Sequence, residues 1–169
     1  IMAIGTFAQL KTATANWLDR SDLTDRIPEF IALAEARFNR VLRIRDMETV
    51  STAISTAAGT REYDLPTRFV QMKEFHLSTD PITPLAYITP EMMSRMQAGS
   101  SKSKPQVFTI IADKVRLGPN PDAVYTTSML YYQAFAALSD SATTNDMLTN
   151  NPDVYLYGTL LEAEPFIMN

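Results

Sequence analysis

Cysteine is absent from the 169 residues. That absence excludes disulfides, cysteine nucleophiles and thiolate metal sites. Histidine occurs once, at His76, so a histidine zinc site or a Ser-His-Asp triad would depend on that one residue. It sits in VQMKEFHL, which reads as a strand and gives His76 a structural role. The five glycines are well separated (Gly5, Gly59, Gly99, Gly118 and Gly158), which excludes a glycine-rich phosphate loop. No H-E-x-x-H, EF-hand or G-x-S-x-G spacing is present. No run of about 20 apolar residues exists to form a membrane-spanning helix. The N-terminal stretch meets Gln9 and Lys11 too early for the apolar region of a signal peptide. The expected compartment is a bacterial-type cytosol, or an assembly formed there.

Positive charge is missing from the last third. Residues 1–116 hold all 15 Lys and Arg against 13 Asp and Glu, a net of +2. Residues 117–169 hold Asp122, Asp140, Asp146, Asp153, Glu162 and Glu164 and no base, a net of −6. A uniformly basic DNA-binding surface does not fit this distribution. Head-to-tail contact between copies does, and so does an ordinary domain with an acidic surface. Hydrophobic residues make up 46% of the chain, enough for a substantial core in one domain.

The pattern along the chain predicts helices, then strands, then a helix. Residues 6–18 read as a helix with a capping-box spacing at Thr6 and Gln9 and an apolar side of Phe7, Leu10, Trp17 and Leu18. Residues 25–42 form the clearest amphipathic helix: Ile27, Phe30, Ile31, Ala34, Phe38, Val41 and Leu42 recur at helical spacing, and Pro28 comes early enough to be tolerated. From residue 46 the texture turns β-branched, with a turn at Gly59. Strands are predicted over residues 61–65, 70–77, 85–88, 107–111, 115–117 and 124–135. FTIIADKVRL reads as a hairpin turning near Ala112, Asp113 and Lys114. A short helix is predicted from Pro90 to Met96, a polar loop over 98–105, and another short helix over 146–149.

The C-terminal stretch NNPDVYLYGTLLEAEPF is unusual. Asn151 suits an N-cap, Pro152 the first helical position and Asp153 the positive end of the helix dipole. Yet Val154, Tyr155, Leu156, Tyr157, Leu160, Leu161 and Ala163 point nearly all the way round the helix. A surface helix has one apolar stripe; this one needs cover on several sides, from the core or from another chain. Pro165 should kink or stop it. The expected fold is α+β, a single domain with residues 1–45 helical, 46–138 β-rich and 139–169 helical, the C-terminal helix packing with the N-terminal ones.

Candidate chemistry is thin. Glu62 and Asp64 lie two apart on a strand and face the same way, as a glycosidase pair could; pairs of this kind are common by chance. Arg37, Arg40, Arg43 and Arg45 could meet phosphate, or form a solvated helix face with cations near its C-terminus, or pair with an acidic neighbour. The aromatic series Tyr125, Tyr131, Tyr132, Phe135, Tyr155 and Tyr157 could stack on bases. It lies among apolar residues with no base after Arg116, which favours core or interface packing.

SDLTDRIPEFIALAEARFNRVLRIRDMET (21–49) resembles the N-terminal region of the head-to-tail adaptor, or connector, proteins of tailed bacteriophages. In the same order, YDLPTRFVQMKEFHL (63–77) resembles their LP-x-x-F strand entry, PLAYITPEMM (84–93) their short helix and PQVFTIIADKVRLGPNPD (105–122) their Pro-flanked hairpin. ALSDSATTNDMLTNNPDVYLYGTLLEAEPF (137–166) resembles their most recognisable segment. Five collinear blocks cover nearly the whole chain.

The resemblance implies a structural virion protein at the portal vertex, assembled in the host bacterial cytoplasm. It implies a ring, usually of twelve copies, that binds beneath the portal protein, extends the DNA channel without sequence-specific DNA binding, and docks tail or nozzle proteins. It implies no catalysis and no cofactor. The candidate interface residues are Arg37, Arg40, Arg43, Arg45, Tyr155, Tyr157, Leu161 and Phe166. Two other readings stay open: a DNA-packaging module using the arginine face, and a virion-associated cell-wall hydrolase. Family members continue past the proline with helical sequence that reaches the portal, so the 169 residues are either a short member or a longer chain cut at Asn169.

Overall fold

The computed structural model describes residues 4–20, 22–96 and 101–168. In chain order the elements are α1 (Phe7–Leu18), a 3-10 turn (Thr24–Arg26) leading into α2 (Ile27–Val41), a second 3-10 turn (Arg45–Met47), β1 (Glu48–Ser51), β2 (Glu62–Asp64), β3 (Phe69–Leu77), β4 (Thr83–Pro84), β5 (Ala86–Tyr87), α3 (Pro90–Met96), β6 (Val107–Ile111), β7 (Lys114–Gly118), β8 (Thr127–Gln133), α4 (Asp146–Asn150) and α5 (Pro152–Ile167). The fold is α+β, as the pattern predicts. The two-residue β4 carries no periodic signal and was not predicted. The loop expected over residues 98–105 lies in part outside the described residues. The chain forms two compact units, a helical one up to Met47 and from Ala134 onward, and a β unit from Glu48 to Gln133.

In the helical unit, Thr6 caps α1 by accepting from the Gln9 amide at 3.3 Å, and the Gln9 side chain turns back to accept from the Gly5 amide at 2.8 Å. The helix ends at Asp19, whose left-handed backbone (φ 49) lets its amide reach the Ala15 carbonyl. The buried side of α1 is Phe7, Leu10, Ala13 and Thr14. Trp17, expected on that side, is exposed, and Leu18 is half-buried. The stripe on α2 is buried as far as Phe38; Val41, expected to continue it, faces solvent in the last turn. Asn39 Oδ1 accepts from the Phe135 amide and Glu35 Oε1 from the Leu138 amide, both at 2.8 Å, so α2 holds the segment that returns from the β unit.

Asn145 caps α4 through the Leu148 amide. Asn151 does not cap α5 with its side chain, contrary to expectation: that amide group turns to Asp46, as does the side chain of Asn150, and the Asn151 backbone N–H closes α4 on Met147. The helix also does not stop at Pro165. Only the Leu161 carbonyl loses a donor there, and the turn completes with the Met168 amide on the Glu164 carbonyl at 3.1 Å.

The β unit contains two four-stranded sheets, β1-β8-β3-β4 and β2-β7-β6-β5, antiparallel except for β5 with β6. One core joins them: Phe75, Leu77, Met129 and Tyr131 come from the first sheet and Phe108, Val115 and Leu117 from the second. Phe75 and Phe108 meet edge-on at 5.3 Å. Charge follows register on β2 and β7. Glu62 stands opposite Arg116 and Asp64 opposite Lys114, and both pairs form salt bridges.

The predicted hairpin is β6–β7, with Ile111 opposite Lys114 and a two-residue loop. Ala112 in that loop has φ 55, a left-handed conformation that costs a non-glycine residue about 1–2 kcal/mol. Ala112→Gly should therefore raise stability by about 0.5–1 kcal/mol after the entropy of glycine is deducted. Urea unfolding measures this, and a lower midpoint for the variant would contradict it.

Candidate interaction surface

The residues of α5 divide by size. Tyr155, Leu156, Thr159 and Ala163 are buried, at a spacing that makes one stripe. Gly158 lies beside that stripe where α5 crosses α2. A Cβ at this position would sit inside contact distance of Phe38 Cζ, 2.8 Å from Phe38 Cε1 and 3.7 Å from Ala34 Cβ. Phe38 in turn meets Tyr155 edge-on at 5.3 Å, and Phe30 meets Phe166 at 5.8 Å. Glycine weakens a helix interior by about 1 kcal/mol against alanine, so here its reason is the close approach. Gly158→Ala should destabilise by about 1–2 kcal/mol, because overpacking against Phe38 exceeds the gain in helix propensity. A neutral or stabilising result in chemical denaturation would show that α2 yields freely.

Behind the stripe, polar groups are buried with partners. Glu35, 7% exposed, accepts from the Leu138 amide and, at 3.0 Å, from the Tyr155 hydroxyl. Asn145 Nδ2 donates to the Tyr155 oxygen and to the Ala136 carbonyl, both at 2.7 Å. Burial pushes the Glu35 carboxyl above its ordinary range, partly offset by the Leu138 amide and the Tyr155 hydroxyl. Burial likewise pushes the Tyr155 phenol well up, so it stays a hydroxyl donor.

The opposite side of α5 is apolar and uncovered. Tyr157 is 57% exposed, Leu161 49%, Phe166 49% and Met168 79%, with Val154 and Ile167 more than a third exposed. Tyr157, Leu160, Leu161, Glu164, Ile167 and Met168 line an open groove of about 380 Å³. Trp17 from α1 extends this surface, its ring edge-on to Tyr157 at 5.8 Å and 60% exposed. Isolated exposed apolar residues are ordinary; a contiguous set on one helix marks an interaction site.

The candidate interface residues thus separate. Tyr157, Leu161 and Phe166 lie on the surface. Tyr155 does not: it is fully buried, and its ring belongs to the core between α2 and α5. Arg37 lies 2.7 Å from Glu162 of α5, an ion pair within the unit in which that carboxylate oxygen accepts no well-directed hydrogen bond. Arg40, Arg43 and Arg45 are exposed around the C-terminus of α2, and Arg43 donates to the Leu42 and Asn39 carbonyls. Two of the six C-terminal acids are likewise engaged within the unit, Glu162 with Arg37 and Asp140 with Lys11. Trp17, Ile167 and Met168 belong to the surface and were not anticipated.

The paired carboxylates Glu62 and Asp64 share a face of β2, and each faces its own cation on β7. His76 lies on β3 with Nδ1 at 3.1 Å from Glu74 Oε1. No helix among the described residues is long and apolar enough to cross a membrane. A family model described as SU10 adaptor protein matches residues 5–169. No curated relative matches the chain.

Proposed function

The chain belongs to the SU10 adaptor protein family, and from that membership we propose that it forms the ring joining the head of a bacteriophage to its tail. Family membership makes it a structural phage protein, a component of the head–tail junction with portal and tail components as partners. In the finer reading, about twelve copies bind below the portal, continue the DNA channel without reading its sequence, and present the docking surface for tail or nozzle proteins. No catalytic step or cofactor enters this role.

The observation that carries the reading is the uncovered apolar side of α5. A ring subunit has to bury surface against neighbouring copies and against other proteins, and a stable interface removes about 1,200–2,000 Å² from water. An apolar centre of Tyr157, Leu161 and Met168 with Glu164 at its margin has the make-up of such an interface. Each large side chain buried there contributes about 1.5–3 kcal/mol. The exposed arginines at the end of α2 and the acid-only C-terminal segment supply opposite charges that can order neighbours.

Mass photometry of the full-length protein, alone and mixed with purified portal ring, tests the reading. A portal-dependent complex with one chain per portal subunit is the expected result. Absence of a complex at micromolar concentrations would overturn it.

A further inference from the structure

A cleft of about 590 Å³ opens in the β unit, away from the α5 surface and independent of the adaptor reading. On one side it is lined by β3, on the other by Leu85, Tyr87, Phe108 and Ile110. Its interior is apolar and aromatic: Phe69, Met72 and Ile110 pack partly buried against the core, and Tyr87 lies edge-on to Phe108 at 5.7 Å.

The β3 wall is a strand edge. β8 pairs with β3 along its length. On the other side β4 covers only His76 and Leu77, and the Leu85 amide donates to the Phe75 carbonyl at 2.9 Å. The chain then leaves this sheet and joins the other as β5. Before Phe75, no strand among the described residues covers that side of Val70, Met72, Lys73 or Glu74.

These features define an occupant. Only an extended backbone presents donors and acceptors at the spacing of a strand edge. Alternate side chains of such a segment would enter the cleft, whose lining calls for apolar groups. The charges beside the cleft are matched within the unit: Lys73 is 2.6 Å from Glu48 and lies over the Tyr132 ring, and Glu74 meets His76. The lysine that would ordinarily guard an edge is turned away, and an occupant has no charge to answer. Register shifts between Phe69 and Gln71 and between Met72 and Glu74 bend β3. A bent edge resists flat pairing with the rigid edge of a second copy, whereas a flexible segment can follow it. We infer that β3 is a strand-addition site for an extended, alternately apolar segment of a different protein, lying antiparallel to β3 in line with β4.

The test uses the full-length, nitrogen-15-labelled protein and a soluble peptide of about eight residues alternating valine and threonine. Two further peptides carry N-methyl groups along one edge or the other. Saturable shifts of the Val70, Met72, Lys73 and Glu74 amides are expected. One N-methylated peptide should bind about tenfold or more weakly and the other as the parent does. Tyr87→Arg, at an exposed position that the fold tolerates, should also weaken binding about tenfold by placing a charge at the cleft. Absence of saturable shifts, shifts confined to other elements, or equal binding of all three peptides would overturn the inference; the last would mean that the cleft takes apolar groups without strand addition.

Discussion

Replacing Glu35 with alanine is expected to destabilise the helical unit by about 3 kcal/mol. The carboxylate is the acceptor for two buried donors, the Leu138 amide and the Tyr155 hydroxyl. Its removal leaves both unsatisfied and opens a void beside α2, and each loss has a large effect in a packed interior. Glu35→Gln behaves differently. Its amide oxygen can still accept from both donors, so stability at neutral pH should stay within about 1 kcal/mol of the parent. What changes is the pH dependence. Burial holds the Glu35 carboxyl above its ordinary 4.5 in the folded chain. Between that ordinary value and the raised one, the folded state binds more protons than the unfolded chain. The stability contributed by this group is therefore complete below about 4.5 and is lost as pH rises through the folded value. Denaturation curves across this range should show the loss in the parent and not in Glu35→Gln. Identical pH profiles, or an alanine variant as stable as the parent, would remove Glu35 from this role.

The sequence made this unit legible where one period dominates. Ile27, Phe30, Ile31, Ala34 and Phe38 recur at helical spacing and all five are buried. The hairpin at Ala112 was visible because two apolar runs flank a turn. Strand order was not visible. It depends on pairings such as β1 with β8, whose partners Glu48 and Tyr132 are far apart in the chain and carry no local mark of each other. Nor does any sequence period announce a two-residue strand such as β4.

The candidate surface was half legible for a related reason. Tyr155 and Tyr157 are chemically alike and two positions apart, hence on opposite sides of a helix, and apolarity alone could not say which one the core takes. Small residues carry that information. Gly158, Thr159 and Ala163 mark the side on which backbones approach, and Tyr155 shares it. Tyr157 and Leu161 lie off that side. Charge misled in the same way. Arg37 looked like one member of an exposed series, yet Glu162 lies within its reach once α5 crosses α2.

Joint replacement of Tyr157 and Leu161 with aspartate is expected to abolish portal-dependent assembly while leaving the fold intact. Both side chains are about half exposed and neither accepts a buried donor, so folding stability should change by about 1 kcal/mol or less. In an interface they would be buried. Losing two apolar contacts of about 2 kcal/mol each, and placing two carboxylates in a desolvated patch, predicts an affinity at least about a thousandfold weaker. Tyr155→Phe provides the contrast. It removes a hydroxyl that joins Glu35 and Asn145 in the interior, so it should lower stability by about 1 kcal/mol and leave assembly unchanged below the unfolding temperature. Reversing Arg40 and Arg43 to glutamate acts at longer range: it should slow association and alter its salt dependence more than it changes dissociation. Arg37 is left out of that pair because its reversal would break the intrachain contact with Glu162 and confound folding with assembly. Undiminished assembly of the aspartate pair on a portal ring would mean that another surface joins the copies, and that the exposed side of α5 serves a different partner.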